Sequence, residues 1–360
     1  MNLLRPSSLC RWLACALTVC AQAAGAAEAA PPATTGSVCS SPSQQLDEQG
    51  FVPLNGIEQW VTIKGERCGN PVVLVVHGGP GNPVSMFSDG LYGPWQKDFT
   101  IVHWDQRGSG MTYGRNRPAE GEPLTVAQLR DDGIAVASYV TQHLGARKLI
   151  LMGGSWGSVL GIQIAKARPD LFHAYITTAQ LVNGQANLAS SYAATLARAK
   201  ALSDQENIAK LEALGPPPWC DPRNFGILRR VTRRYEAART DPAPKAWWQP
   251  AALYTTAKAE ADYEAGEDYS YLQFVGRKGD GMLASTDLPG LGLKFGLPVF
   301  FVQGEEDLVT TPDVARRYFD SIEAPQKDWV LLPRTGHDPN PAMRDAQFSL
   351  LKERVLPLIR

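Results

Sequence analysis

The sequence has no C-x-x-C pair and no group of cysteines and histidines at metal-ligand spacing. That removes the usual frameworks for structural zinc and for thioredoxin-like redox chemistry. Charge of one sign is missing too: 35 Lys and Arg stand against 36 Asp and Glu, a formal net charge of −1. Nucleic acid and anionic membranes select basic chains, so neither is an expected partner. No internal repeat is visible, which excludes solenoid and propeller arrays. Long apolar runs are also absent, and the N-terminal one, Trp12 to Cys20, is too short to span a bilayer.

That run nevertheless has a recognisable shape. Arg5 and Arg11 precede it, and small residues follow at Ala21-Gln22-Ala23 and Ala26-Ala27-Glu28-Ala29. This is the layout of a secretory signal peptide over residues 1–29, so the chain is expected to be exported, periplasmic or secreted, with no stable membrane span after cleavage. Residues 30–49, rich in Pro, Ser, Thr and Gln, read as a linker. Three of the six cysteines fall in the signal; Cys39 and Cys68 are then available to pair in an oxidising compartment, leaving Cys220 alone.

With 44% hydrophobic and 20% charged residues, the remainder has the composition of a globular protein. A hairpin is expected over Phe51–Lys64, turning at Asn55-Gly56. Apolar runs at Pro71–Val76, Phe99–Trp104, Lys148–Met152, Ala174–Thr178, Pro298–Gln303 and Trp329–Leu332 read as strands of a sheet covered on both faces. A helix is expected over Leu124–Leu144 with Thr125 as its cap, another after Ser155, one near Asp313–Ile322, and a closing one from Pro341. Strand and helix alternate, which means an α/β sheet. The alternation breaks between about Leu181 and Leu293, an Ala-rich helical stretch. The division is therefore a core over 50–180, an inserted helical cap over 181–293 and the rest of the core over 294–360. Leu228, Val231, Tyr235 and Ala238 mark one cap helix, and Arg229, Arg230, Arg233 and Arg234 are read as its solvated flank.

The chemistry sits at strand ends. Gly153-Gly154-Ser155-Trp156-Gly157-Ser158 is a G-x-S-x-G pattern between an apolar strand and a helix, the setting in which a strained turn pushes a serine out of the sheet. A serine hydroxyl needs a base and a group to orient that base. His337 lies in a Gly-His turn after the last strand, and Asp307 follows the strand before it, with Glu305 and Glu306 beside it as alternatives. The order Ser155, Asp307, His337 is that of the α/β-hydrolase fold. A tetrahedral intermediate also needs two amide donors, for which Trp156 and Gly79, in His77-Gly78-Gly79-Pro80-Gly81, are the candidates. His77 and His103 are expected to support loops. The mechanism calls for no cofactor and no metal.

Together, His77-Gly78-Gly79-Pro80-Gly81, Asp105-Gln106-Arg107-Gly108-Ser109-Gly110 and the serine motif resemble the proline iminopeptidase group of α/β-hydrolases, from Phe51 to the C-terminus. The resemblance implies a Ser-Asp-His hydrolase that removes an N-terminal residue, often proline, from short peptides, with Gly79 and Trp156 at the oxyanion positions. It also implies cap glutamates that hold the substrate's free amine. Glu260 and Trp248 are the candidate substrate contacts, although Gln249 stands where closer relatives have an acid after the tryptophan. A carboxylesterase acting on acyl esters through the same triad is the alternative.

Overall fold

The computed structural model describes residues 37–119 and 121–359; the expected signal segment and its cleavage sites lie outside them. Eight strands form one sheet: β1 (Leu46–Leu54), β2 (Ile57–Gly65), β3 (Val72–Val76), β4 (Thr100–Trp104), β5 (Leu149–Gly154), β6 (Phe172–Thr178), β7 (Val299–Gly304) and β8 (Lys327–Leu332). Their spatial order is β1-β2-β4-β3-β5-β6-β7-β8. The first two pairings are antiparallel and all the others are parallel. The hairpin turns where expected, with Asn55 and Gly56 both at positive φ, 49° and 81°. That is the backbone a two-residue hairpin turn requires.

The central strands are apolar without interruption because both faces are covered. In β3, Val72, Leu74 and Val76 enter one core cluster, and Val73 and Val75 enter the other. β5 and β7 split the same way, with Leu149, Leu151, Val299 and Phe301 on the first face and Ile150, Met152, Phe300 and Val302 on the second. Strict alternation with two buried faces is what a parallel sheet between helical layers demands.

Ten helices are used below: α1 (Ser88–Tyr92), α2 (Gly110–Arg115), α3 (Val126–Leu144), α4 (Trp156–Ala167), α5 (Gly184–Ala201), α6 (Gln205–Leu214), α7 (Pro222–Ala237), α8 (Ala257–Val275), α9 (Pro312–Ser321) and α10 (Pro341–Leu350). Thr125 caps α3 as expected, accepting the Gln128 amide at 3.1 Å, and Gly145 closes the helix in the left-handed region at φ 66°. The four helices α5 to α8 lie between β6 and β7 in the chain. A third apolar cluster, including Tyr192, Leu211, Trp219, Leu228, Val231 and Tyr235, holds α5, α6 and α7 together. Leu308, from the loop after β7, joins the same cluster.

Two expectations need correction. The linker over 30–49 ends too late, because β1 starts at Leu46 and pairs with β2 through nine consecutive residues. Ahead of β1, the Val38 amide donates to His143 at 2.9 Å, and a Cys39–Cys68 disulfide ties the segment down. A polar edge strand with one exposed face carries little apolar signal, which is why its composition resembles a linker. In α7, Ala238 is the exposed C-cap and lies outside the buried face, and Arg229 is half-buried and paired.

Candidate active site

β5 ends at Gly154 and α4 begins at Trp156, so Ser155 alone makes the turn, at φ 54° and ψ −123°. Such a backbone is costly for a residue with a side chain and is kept only where its surroundings fix it. Here the Ser155 amide donates to the Thr178 carbonyl at 3.0 Å, and the Ser155 carbonyl accepts from the Ser158 amide at 2.9 Å and hydroxyl at 2.5 Å. The turn closes so tightly that a Cβ on Gly157 would stand 2.1 Å from the Val76 carbonyl oxygen. Glycine is the residue that fits there.

The other two groups come from neighbouring strand ends. His337 Nε2 lies 2.9 Å from Ser155 Oγ, and its Nδ1 lies 3.2 and 3.1 Å from the two Asp307 oxygens. Asp307 is buried and well supplied with donors. Oδ1 accepts from the Val309 and Thr310 amides at 2.9 and 2.8 Å, and Oδ2 from the Thr310 hydroxyl and the Gln303 side-chain amide at 2.8 and 3.0 Å. Of the three acids in the turn, only Asp307 reaches the histidine: Glu305 is exposed, and Glu306 pairs with Arg198 and Arg239.

Burial alone would lower the His337 pKa, but the charge and hydrogen bond of Asp307, with Glu236 adding to them, carry it above the ordinary histidine value. Burial would raise the Asp307 pKa. The His337 charge and hydrogen bond, with the Thr310 donors, hold it below the usual carboxylate range instead. The arrangement sets a serine hydroxyl, an imidazole and a carboxylate in hydrogen-bonded sequence, the set that nucleophilic acyl transfer requires.

The glycine loop after β3 runs alongside. A Cβ on Gly78 would touch Ser155 Cβ at 3.3 Å, and Gly79 takes φ 110°. Neither the Gly79 nor the Trp156 amide has a backbone carbonyl partner among the described residues; the latter opens α4 and has no carbonyl one turn back. His77 holds this loop in place. Its Nδ1 donates to the Gly78 carbonyl at 2.8 Å and its Nε2 accepts the Gln106 amide at 3.1 Å. Gln106 ties the loops together, donating to the His77 carbonyl at 2.9 Å and accepting from Trp156 Nε1 at 3.1 Å. Burial lowers the His77 pKa to about 4, offset in part by the bond to Gly78. His103, buried under α1 beside Tyr92, is lowered to about 3, chiefly by burial. Of the two, only His77 holds a loop; both ring nitrogens of His103, within β4, lack a hydrogen-bond partner among the described residues.

The two cap candidates do not join this cluster. Glu260 is exposed on the first turn of α8, and Trp248 sits at the surface with its ring edge-on to Phe87, centroids 5.4 Å apart. α8 reaches the glycine loop further along, where a Cβ on Gly81 would meet Glu267 Cα and Ser270 Cβ at 2.9 Å each.

The α/β hydrolase fold family matches residues 71–341, a stretch that contains every strand end just described except those of the N-terminal hairpin. The chain belongs to that family. The sheet order, the serine turn and the order of the three groups along the chain agree with it. A "Probable aminopeptidase YbaC" of Bacillus subtilis is 28% identical over 298 residues, covering 80% of this chain and 89% of that protein. A "Probable proline iminopeptidase" of Streptomyces coelicolor is 27% identical over 288 residues, covering 76% and 85%. Among solved structures, VinJ superposes with a TM-score of 0.62 at 20% identity, covering 86% of this chain and 99% of its own.

Sequence reading missed Gln303, Thr310 and Glu236. Gln303 did carry a signal, a polar residue at the end of the apolar run Val299–Val302. Glu236 carried none, since an acid after an arginine run reads as surface. It is nevertheless buried, 4% exposed, and its Oε1 accepts the Leu308 amide at 2.7 Å.

Proposed function

We propose that the protein is an exported serine hydrolase that acts as an aminopeptidase of proline-iminopeptidase type. The observation that carries the reading is the unbroken chain Ser155 Oγ, His337 Nε2, His337 Nδ1, Asp307, with no contact longer than 3.2 Å. Ser155 attacks the scissile carbonyl while His337 takes its proton. The Gly79 and Trp156 amides bind the oxyanion, and His337 then protonates the departing amine to leave an acyl-enzyme. Water activated by the same histidine releases the product. The names of the two sequence relatives favour a free-amine peptide as substrate. The Cys39–Cys68 disulfide favours an oxidising compartment, and with it export.

A second reading, a carboxylesterase on the same triad, is favoured by one observation: Glu260, the candidate partner for a substrate ammonium, is exposed on the first turn of α8. An unpaired ammonium in a closed pocket costs several kcal/mol, so an aminopeptidase must supply a carboxylate. A panel of free-amine prolyl arylamides, their N-blocked forms and short acyl esters separates the two. Turnover confined to the free-amine substrates supports the aminopeptidase; turnover of the esters alone supports the esterase.

A further inference from the structure

The two turns that carry Asp307 and His337 come from different strands, yet a single helix holds both. On α7, Arg229 and Glu236 are seven residues apart and therefore project from one side of the helix. Glu236 Oε1 accepts the amide of Leu308, the residue after Asp307, at 2.7 Å. Glu236 Oε2 faces Arg229 Nη1 at 3.5 Å, and Arg229 Nη2 donates to Asp338, the residue after His337, at 3.0 Å. The backbone before His337 lies against the same carboxylate: a Cβ on Gly336 would stand 3.4 Å from Glu236 Cβ and 3.5 Å from its Cδ. The surrounding contacts extend the grip. Glu306, just before Asp307, pairs with Arg198 of α5 at 3.0 Å and with Arg239 beyond α7 at 2.6 Å. Leu308 also buries its side chain against Leu228, Val231 and Tyr235 of α7.

We propose that Glu236 is a positioning residue, which, with Arg229, sets the Asp307 and His337 turns in register from the inserted helical region. The inference rests on the triad reading above. Two effects follow. The first is geometric: an acceptor for Leu308 N–H fixes the turn that aims Asp307. The second is electrostatic, because a carboxylate this close to His337 favours the imidazolium that forms when Ser155 gives up its proton, and a guanidinium opposes it. The charged groups that face Glu236 are Asp307 and His337 from the core and Arg229 from its own helix, with Asp338, Arg233, Glu306, Arg198 and Arg239 around them. Burial, with the Asp307 charge adding to it, pushes the Glu236 carboxyl up to about 6, against the pull of His337, Arg229 and the Leu308 amide. Glu236 and His337 are thus expected to titrate as a linked pair.

The test is the rate of labelling by a fluorophosphonate as a function of pH, which reads the Ser155–His337 couple without a known substrate. Glu236→Gln keeps an acceptor for Leu308 N–H and removes the charge, so the acid limb is expected to move to lower pH. Arg229→Gln is expected to move it the other way. Glu236→Ala, which also loses the acceptor, is expected to label at least about tenfold more slowly at the plateau, while Glu236→Gln stays within about threefold of wild type. Opposite shifts for the two glutamine variants are something a purely structural brace does not produce. If Glu236→Ala fails to fold, the two glutamine variants decide alone. Superimposable pH profiles for wild type and both glutamine variants, with labelling that depends on Ser155, overturn this inference and leave the triad standing. Labelling that persists in Ser155→Ala overturns the triad reading and this inference with it.

Discussion

Both carboxylate oxygens of Asp307 lie within 3.2 Å of His337 Nδ1, and four further donors from Gln303, Val309 and Thr310 saturate them. An acceptor fixed this firmly selects the tautomer with its proton on Nδ1 and leaves Nε2 free to face Ser155. Replacing Asp307 with Asn offers a donor where an acceptor is needed. The expected result is a fall in kcat of about 10^3- to 10^4-fold, with KM changed only a few-fold. Steady-state kinetics of Asp307→Asn on whichever substrate is turned over checks it; a variant within tenfold of wild type contradicts it.

The same pair makes activity and stability respond oppositely to pH. His337 must be neutral to act as base, and its pKa lies above the ordinary value near 6.5, so kcat/KM is expected to rise through an acid limb centred above about 6.5. Stability has the other sign. A raised histidine pKa contributes stability that is fully present below about 6.5 and is lost as pH rises through the folded value. The lowered pKa of Asp307 contributes stability present above about 3.9 and lost as pH falls through the folded value. The pair therefore stabilises most between about pH 4 and 6.5. Melting curves of wild type and His337→Gln across pH 4 to 9 measure it. The difference in Tm should be largest in the acidic window and shrink above it.

Gly157 has no room for a methyl group, since backbone oxygens of Val76 and His77 would stand 2.1 and 2.7 Å from its Cβ. These are carbonyls of a central strand and the glycine loop and cannot swing aside. Gly157→Ala is expected to cost on the order of 3 kcal/mol of stability. Because the same contact seats the glycine loop beside Ser155, any folded fraction should also label slowly. Chemical denaturation together with the labelling rate checks both effects.

The Cys39–Cys68 bridge closes a loop across a sequence separation of 29 and anchors the segment ahead of β1. On the chain-entropy view, such a loop contributes about 3 to 4 kcal/mol. The Cys39→Ser, Cys68→Ser double variant is expected to melt several degrees lower, with little change in kcat, because Cys68 precedes β3 whereas the glycine loop follows that strand's other end. Without reductant, Cys220 should be the one alkylatable thiol among the described residues.

Much of the site was legible because its parts lie at strand ends. Apolar runs such as Val72–Val76 and Val299–Val302 announce buried strands, and a glycine, serine or histidine immediately after one has few structural reasons to be there. Ser155, Asp307, His337 and the glycine loop at Gly79 could be named on that ground. The polar first half of the edge strand, Leu46–Gly50, could not, because only one face of that strand is covered. The helical insertion was harder still. Three of its helices, α5, α6 and α7, pack mainly through a small cluster among themselves, so their sequence records that packing and not which face meets the triad. Hence Glu236 was hidden in an arginine-rich surface pattern.

The account turns on Ser155 as the nucleophile, and peptide mapping of the fluorophosphonate adduct tests that most directly. The adduct should map to Ser155 in the wild-type protein and be absent in a folded Ser155→Ala variant. An adduct on any other residue, or undiminished labelling of that variant, would contradict the account.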